Sequence, residues 1–199
     1  GEVKAAAASI RGVRIVRQIC KALILAHEKG VIHRDMKPEN VFLQGDMNAP
    51  LATVLDFGIS KTGGGGQQTN LTKTGMIMGT PSYMAPEQAR GERVDHRADV
   101  YAVGAILYAA LTGKRPFDHA DPMVTVTAVL TRDPPPPRSI EPTIPEALEL
   151  AIQHAMAKEP AQRYSSMLEL DQDLAPWDPD ADHAAMDARN TATPVRTML

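Results

Sequence analysis

Apolar positions fall into blocks of helical period, separated by loops rich in polar residues, glycine and proline. Val16, Ile19, Cys20, Leu23 and Ala26 recur at the spacing that keeps one helix face apolar, and Gly30 supplies a C-terminal stop. Residues 1–9 hold no cap followed by a periodic face, so the pattern leaves the start of this helix open. Two short apolar runs, 41–43 and 51–55, flank a stretch of Gly, Asp, Asn and Pro, which predicts a β-hairpin. No long period covers 56–87, and Gly63-Gly64-Gly65-Gly66 followed by polar residues reads as a flexible loop. Residues 95–112 predict a helix that is apolar on every side between Val100 and Leu111, hence a buried central helix ended by Gly113 and Pro116. Further helices are expected over 121–131, from Pro145 through Leu148, Ile152 and Met156, and over 165–174 with Ser165 or Ser166 as cap. Pro134 to Pro137 form a rigid extended connector. After Pro176 the apolar period stops. Residues 1–176 are therefore expected to form one domain, and 177–199 a disordered acidic tail or linker. The fold class expected is mainly α with a small β-hairpin element.

Composition narrows the function. Hydrophobic residues make up 43% and charged residues 23% of 199, which excludes global disorder and a fibrous architecture. With 21 Lys and Arg against 24 Asp and Glu, no basic field exists to hold nucleic acid or an anionic membrane. The longest apolar stretch, 100–111, is interrupted by Gly104 and two tyrosines and is too short to span a bilayer. Residues 1–14 are alanine-rich and charged, without the apolar centre of a signal peptide. A single cysteine, Cys20, forms no internal disulfide and fits a reducing compartment. A cytoplasmic location is expected, with a membrane anchor conceivable only in a longer parent beyond the C-terminus.

The chemistry sits in two short segments. His33-Arg34-Asp35-Met36-Lys37-Pro38-Glu39-Asn40 sets a carboxylate, an ammonium and a carboxamide directly before the first strand. Asp56-Phe57-Gly58 follows the second strand, so the hairpin should bring Asn40 and Asp56 together. Two oxygen ligands suit Mg²⁺. Lys37 can neutralise a transferring phosphoryl group, and Asp35 is left to orient or deprotonate an incoming hydroxyl. The residues alone describe phosphoryl transfer.

With His33 to Asn40, Asp56 to Gly58 and Ala85-Pro86-Glu87 in this order, the chain resembles the eukaryotic-type protein kinases, and among them the bacterial Ser/Thr kinases. The resemblance implies Asp35 as catalytic base, Asn40 and Asp56 as ligands of Mg²⁺ or Mn²⁺, and Lys37 on the γ-phosphate of ATP. It implies that Thr80, in the substrate-docking segment, bonds to Asp35 and Lys37. Asp99 would cap the central helix region and bond backbone N–H groups of the 33–40 loop. Glu87 and Arg163 would form a buried pair, structural like Asp99. Arg34 beside Asp35 implies regulation by phosphate on the activation loop, with Thr72 and Thr74 as acceptors and a second kinase copy as the enzyme that modifies them. The partners implied are proteins with Ser or Thr acceptors.

Several signals carry no chemistry. The glycine run at 63–66 has no Lys-Ser/Thr after it and is no phosphate loop. Cys20 on an apolar helix face is core, and Trp177 reads as the end of the last packed helix.

The resemblance covers about residues 10–176, the large helical lobe of that family. No G-x-G-x-x-G loop, strand lysine or partner glutamate precedes the first helix. Gly1 in place of a methionine and a motif as early as His33 give the expectation that the chain starts inside a domain whose small lobe is missing. Two functions follow: the large lobe of an ATP-dependent Ser/Thr protein kinase, inactive by itself, or a non-catalytic lobe that serves as a protein-docking surface. The intact Asp35, Asn40 and Asp56 favour the first.

Overall fold

A computed structural model describes residues 2–46, 49–57 and 81–178. Helix α1 (Glu2–Glu28) leads into strands β1 (Val41–Gln44) and β2 (Leu51–Val54). Helices α2 (Pro86–Arg90), α3 (Arg97–Thr112), α4 (Pro122–Thr131), α5 (Pro137–Ile140), α6 (Glu146–Ala155) and α7 (Met167–Leu174) follow. The strands pair antiparallel with Val41 opposite Val54 and Gln44 opposite Leu51.

Helix α3 has no polar face, and it lies at the centre of the molecule. Val100, Val103, Leu107 and Tyr108 are wholly inaccessible to solvent. Helix α1 covers one side of it with Val13, Val16, Ile19, Cys20 and Leu23, all at 0% exposure. On another side α6 approaches so closely that a Cβ on Gly104 would stand 2.7 Å from the Ala155 Cβ. Only glycine fits there. Gly113 ends α3 in the left-handed region at φ 68°, with its N–H on the Ala109 carbonyl. Asp121 caps α4 by accepting from the Met123 N–H, and Ser166 caps α7 by accepting from the Glu169 N–H.

The structure departs from the sequence pattern at four places. Helix α1 runs back to Glu2 through an alanine-rich stretch that has propensity without periodicity. Helix α3 begins at Arg97, because Asp95 turns outward to accept from the Arg97 N–H at 2.8 Å. Pro137 opens α5 and does not extend the proline connector. The packed body also reaches beyond Pro176. Trp177 closes a 3-10 turn against the core, and Asp178 is buried at 8% exposure. Asp178 accepts from Arg17 Nη1 at 3.2 Å, while Asp171 holds Arg17 Nε at 2.9 Å. The composition of the tail hides this, since a carboxylate buried by an arginine has no apolar period.

A second buried pair locks α2 to the turn before α7. Arg163 donates from Nη1 and Nη2 to the two Glu87 carboxylate oxygens, each at 2.7 Å. Its Nε goes to the Ala157 carbonyl, and the remaining protons go to the Arg97 and Lys158 carbonyls. All five guanidinium donors are used, and the side chain is 0% exposed. Substituting Arg163→Met is expected to cost about 3–5 kcal/mol, because the Glu87 carboxylate stays buried without its cation. Arg163→Lys should also destabilise, since an ammonium has fewer donors and no planar fork. Urea unfolding measures both, and an Arg163→Met variant within about 1 kcal/mol of the parent would contradict the geometry.

Candidate active site

The segment after α1 alternates between core and surface. His33 and Met36 point inward at 0% and 2% exposure, so the residues between and after them, Asp35 and Lys37, stand at the surface. Asp99, in the first turn of α3, holds the backbone. Its Oδ2 accepts from the His33 N–H at 2.9 Å, and its Oδ1 accepts from the Arg34 N–H at 2.9 Å. His27 Nε2, at the end of α1, donates to the same Oδ2 at 2.8 Å. The carboxylate therefore serves the loop and α1, and it is Asp95 that accepts from the first N–H of α3.

Arg34 takes a left-handed φ of 65°, which costs a non-glycine residue about 1–2 kcal/mol. Bonds on both sides offset this: its N–H goes to Asp99, and its carbonyl accepts from Gln88 Nε2 at 2.7 Å. The ring of His33 finishes the turn. Its Nδ1 accepts from the Asp35 N–H at 3.3 Å, and its Nε2 donates to the Leu55 carbonyl at 2.9 Å. One imidazole thereby joins the loop to the strand that leads to Asp56.

Lys37 Nζ stands 3.2 Å from Asp35 Oδ2, with both side chains partly exposed. Asn40 Nδ2 donates to the Asp35 carbonyl at 2.7 Å, which leaves Asn40 Oδ1 as the ligand atom of that amide. Asn40 also accepts the Leu55 N–H on its backbone carbonyl at 2.9 Å, so Asp56 follows at the same end of the ladder. Asp56 is exposed and has a left-handed φ of 51°. An amide oxygen and a carboxylate, with no sulfur or imidazole beside them, fit a hard divalent cation that takes its other ligands from phosphate and water. No cluster of three or more His, Cys, Asp or Glu suited to a metal occurs among the described residues.

The remaining sequence candidates divide in two. Arg34 lies in the loop, and its Nε is buried with no hydrogen-bond partner among the described residues. Glu87 and Arg163 meet as given above. Thr72, Thr74, Thr80 and Gly58 lie outside the described residues. Sequence reasoning missed His27, Gln88 and Gln18. Gln18 clamps β2 to α1, donating to the Pro50 carbonyl at 3.0 Å and accepting from the Ala52 N–H at 2.9 Å. Each is a single polar residue whose partner is distant in sequence, and no local pattern marks it.

A mainly helical body carrying this loop beside a single hairpin is a protein-kinase-like fold. The chain belongs to the protein kinase family: residues 4–174 match the family described as the protein kinase domain. It is 47% identical over 156 residues to the serine/threonine-protein kinase Pkn1 of Myxococcus xanthus, covering 78% of this chain and 22% of that protein. It is 37% identical over 190 residues to PknB of Mycolicibacterium smegmatis, covering 92% of this chain and 29% of that protein. Among solved structures it is similar to the PknI kinase domain of Mycobacterium tuberculosis, with a TM-score of 0.61 and 28% identity. That match covers 83% of this chain and 54% of the PknI domain.

The partners of His33 dictate its protonation, since a carbonyl only accepts and a backbone N–H only donates. A ¹⁵N spectrum of the histidine rings should place the His33 ring proton on Nε2, with Nδ1 as the acceptor. A proton on Nδ1 would contradict the loop geometry.

Proposed function

We propose that this chain forms the metal- and acceptor-side half of a Ser/Thr protein kinase, transferring the γ-phosphoryl group of ATP to a protein hydroxyl. The observation that carries the reading is the Asp35–Lys37 pair at 3.2 Å, with Asn40 bonded to the Asp35 carbonyl and Asp56 at the end of the same ladder. Asp35 receives or orients the hydroxyl proton of the acceptor. Lys37 sets its positive charge between that carboxylate and the incoming phosphoryl group. Asn40 Oδ1 and the Asp56 carboxylate hold Mg²⁺, or Mn²⁺, which supplies charge neutralisation on the phosphate oxygens when bound. Thr80, outside the described residues, is assigned to the alignment of the acceptor segment on the resemblance alone. Arg34, whose buried Nε has no partner among the described residues, pairs with the phosphate that Thr72 and Thr74 carry after a second kinase copy has modified them.

Phe42, two residues after Asn40, is 52% exposed, and Leu51, opposite Gln44 at the turn end of the same hairpin face, is 61% exposed. An apolar face beside a metal site suits a planar base, with a small lobe closing over it. The sequence holds no Gly-rich loop or strand lysine before α1, so we place that lobe outside these residues.

The 199-residue chain alone should bind ATP–Mg²⁺ very weakly in calorimetry and show negligible turnover. Fused behind the small lobe of a bacterial Ser/Thr kinase, it should phosphorylate a protein substrate on Ser or Thr. Asp35→Asn should reduce that rate by about 10²–10⁴-fold, and Asp56→Ala should abolish metal-dependent nucleotide binding. An inactive fusion, or one indifferent to Asp35→Asn, would overturn the reading. Tight nucleotide binding by the chain alone, lost in Asp56→Ala, would contradict the need for a second lobe.

A further inference from the structure

A groove of about 740 Å³ opens between the loop after α3 and the end of α4. Phe117 and Ala128, 5% and 2% exposed, line it from the core side. One wall carries Lys114, Arg115 and Asp118, and the other carries Arg132, Asp133 and Pro135. Burial pushes the Tyr83 hydroxyl, in the turn Pro81–Tyr83, above its ordinary range, while the Arg115 cation of the groove wall opposes that shift and the Glu39 carboxylate of the 33–40 loop adds to it, so groove and loop both border this turn.

The charges in this groove do not cancel. Asp118 is paired with Arg115 at 3.3 Å, and Asp133, which makes no ion pair among the described residues, offsets one of the two cations Lys114 and Arg132 and leaves one net positive charge. Lys114 and Arg132 are exposed and make no side-chain ion pair among the described residues. The proline wall adds no recognition by backbone donors, because residues 134–137 have no N–H. The Pro135 carbonyl is already taken by the Tyr108 hydroxyl at 3.0 Å. The groove thus offers uncompensated positive charge above an apolar floor.

We propose that this groove receives an acidic stretch of the protein to be phosphorylated, with Lys114 and Arg132 as the cations that recognise it. The proposal rests on the kinase reading for its purpose and on the groove alone for its binding. Each exposed charge pair should contribute about two- to fivefold in affinity, hence about tenfold for the two. The preference should shrink as salt screens it.

Three fluorescein-labelled peptides test this, each with a central Thr flanked on both sides by Glu, by Gln or by Lys. Anisotropy titrations use the 199-residue chain at low salt and again at 300 mM salt, where screening should visibly reduce the preference. The Glu peptide should bind about tenfold more tightly than the Gln peptide, and the Lys peptide more weakly than both. Lys114→Gln with Arg132→Gln should remove the difference and leave the thermal midpoint unchanged, since both side chains are exposed. Equal binding of the Glu and Gln peptides, a preference that survives the double variant, or no binding of the Glu peptide at millimolar concentration would overturn the proposal. The same peptides given to the small-lobe fusion separate the two ideas. Acidic preference in binding without turnover sinks the kinase reading alone, and turnover without preference sinks the groove alone.

Discussion

Asp99 is 1% exposed, and its carboxylate is kept in the interior by three hydrogen bonds, from the His33 N–H, the Arg34 N–H and His27 Nε2. A buried carboxylate without such partners would cost several kcal/mol. The consequence is mutual. The charge needs the loop in one conformation, and the loop, strained at Arg34, needs the charge. Because Asp99 sits on the most buried helix, the position of Asp35 and Lys37 is referred directly to the core.

The rest of the molecule supports that one connection. Helix α3 is held by apolar packing on several sides, so it forms a rigid platform. Gln88 ties the Arg34 carbonyl to α2, and the Glu87–Arg163 pair ties α2 to the turn before α7. The 33–40 loop and α2 therefore share one support. On the far side of the loop, His33 reaches the Leu55 carbonyl and Asn40 the Leu55 N–H, which places Asp56 by two bonds to one residue. The hairpin is small, but Gln18 fastens it to α1.

Much of this was legible in the chain. The all-round apolar run of 100–111 pointed to a buried central helix, and the turn residues of 44–50 pointed to the hairpin. The grouping of the candidate site residues was legible because they are close in sequence: Asp35, Lys37 and Asn40 span six positions. Long-range polar partners were not. His27 and Asp99 are 72 residues apart, and Arg17 and Asp178 are 161 apart. Nothing in the periodicity around His27 distinguishes it from a solvated helix end. Asp178 was assigned to the tail for the same reason, since its burial depends on an arginine on the first helix.

Amide exchange in an Asp99→Asn variant tests most directly whether this carboxylate holds the loop. Hydrogen bonds to a charged group are worth about 1.5–3 kcal/mol, so exchange at His33 and Arg34 should speed up by about 10–100-fold. Amides of α6, on the other side of α3, should keep most of their protection. Unchanged exchange at His33 and Arg34, or an equal loss at every amide, would contradict the account.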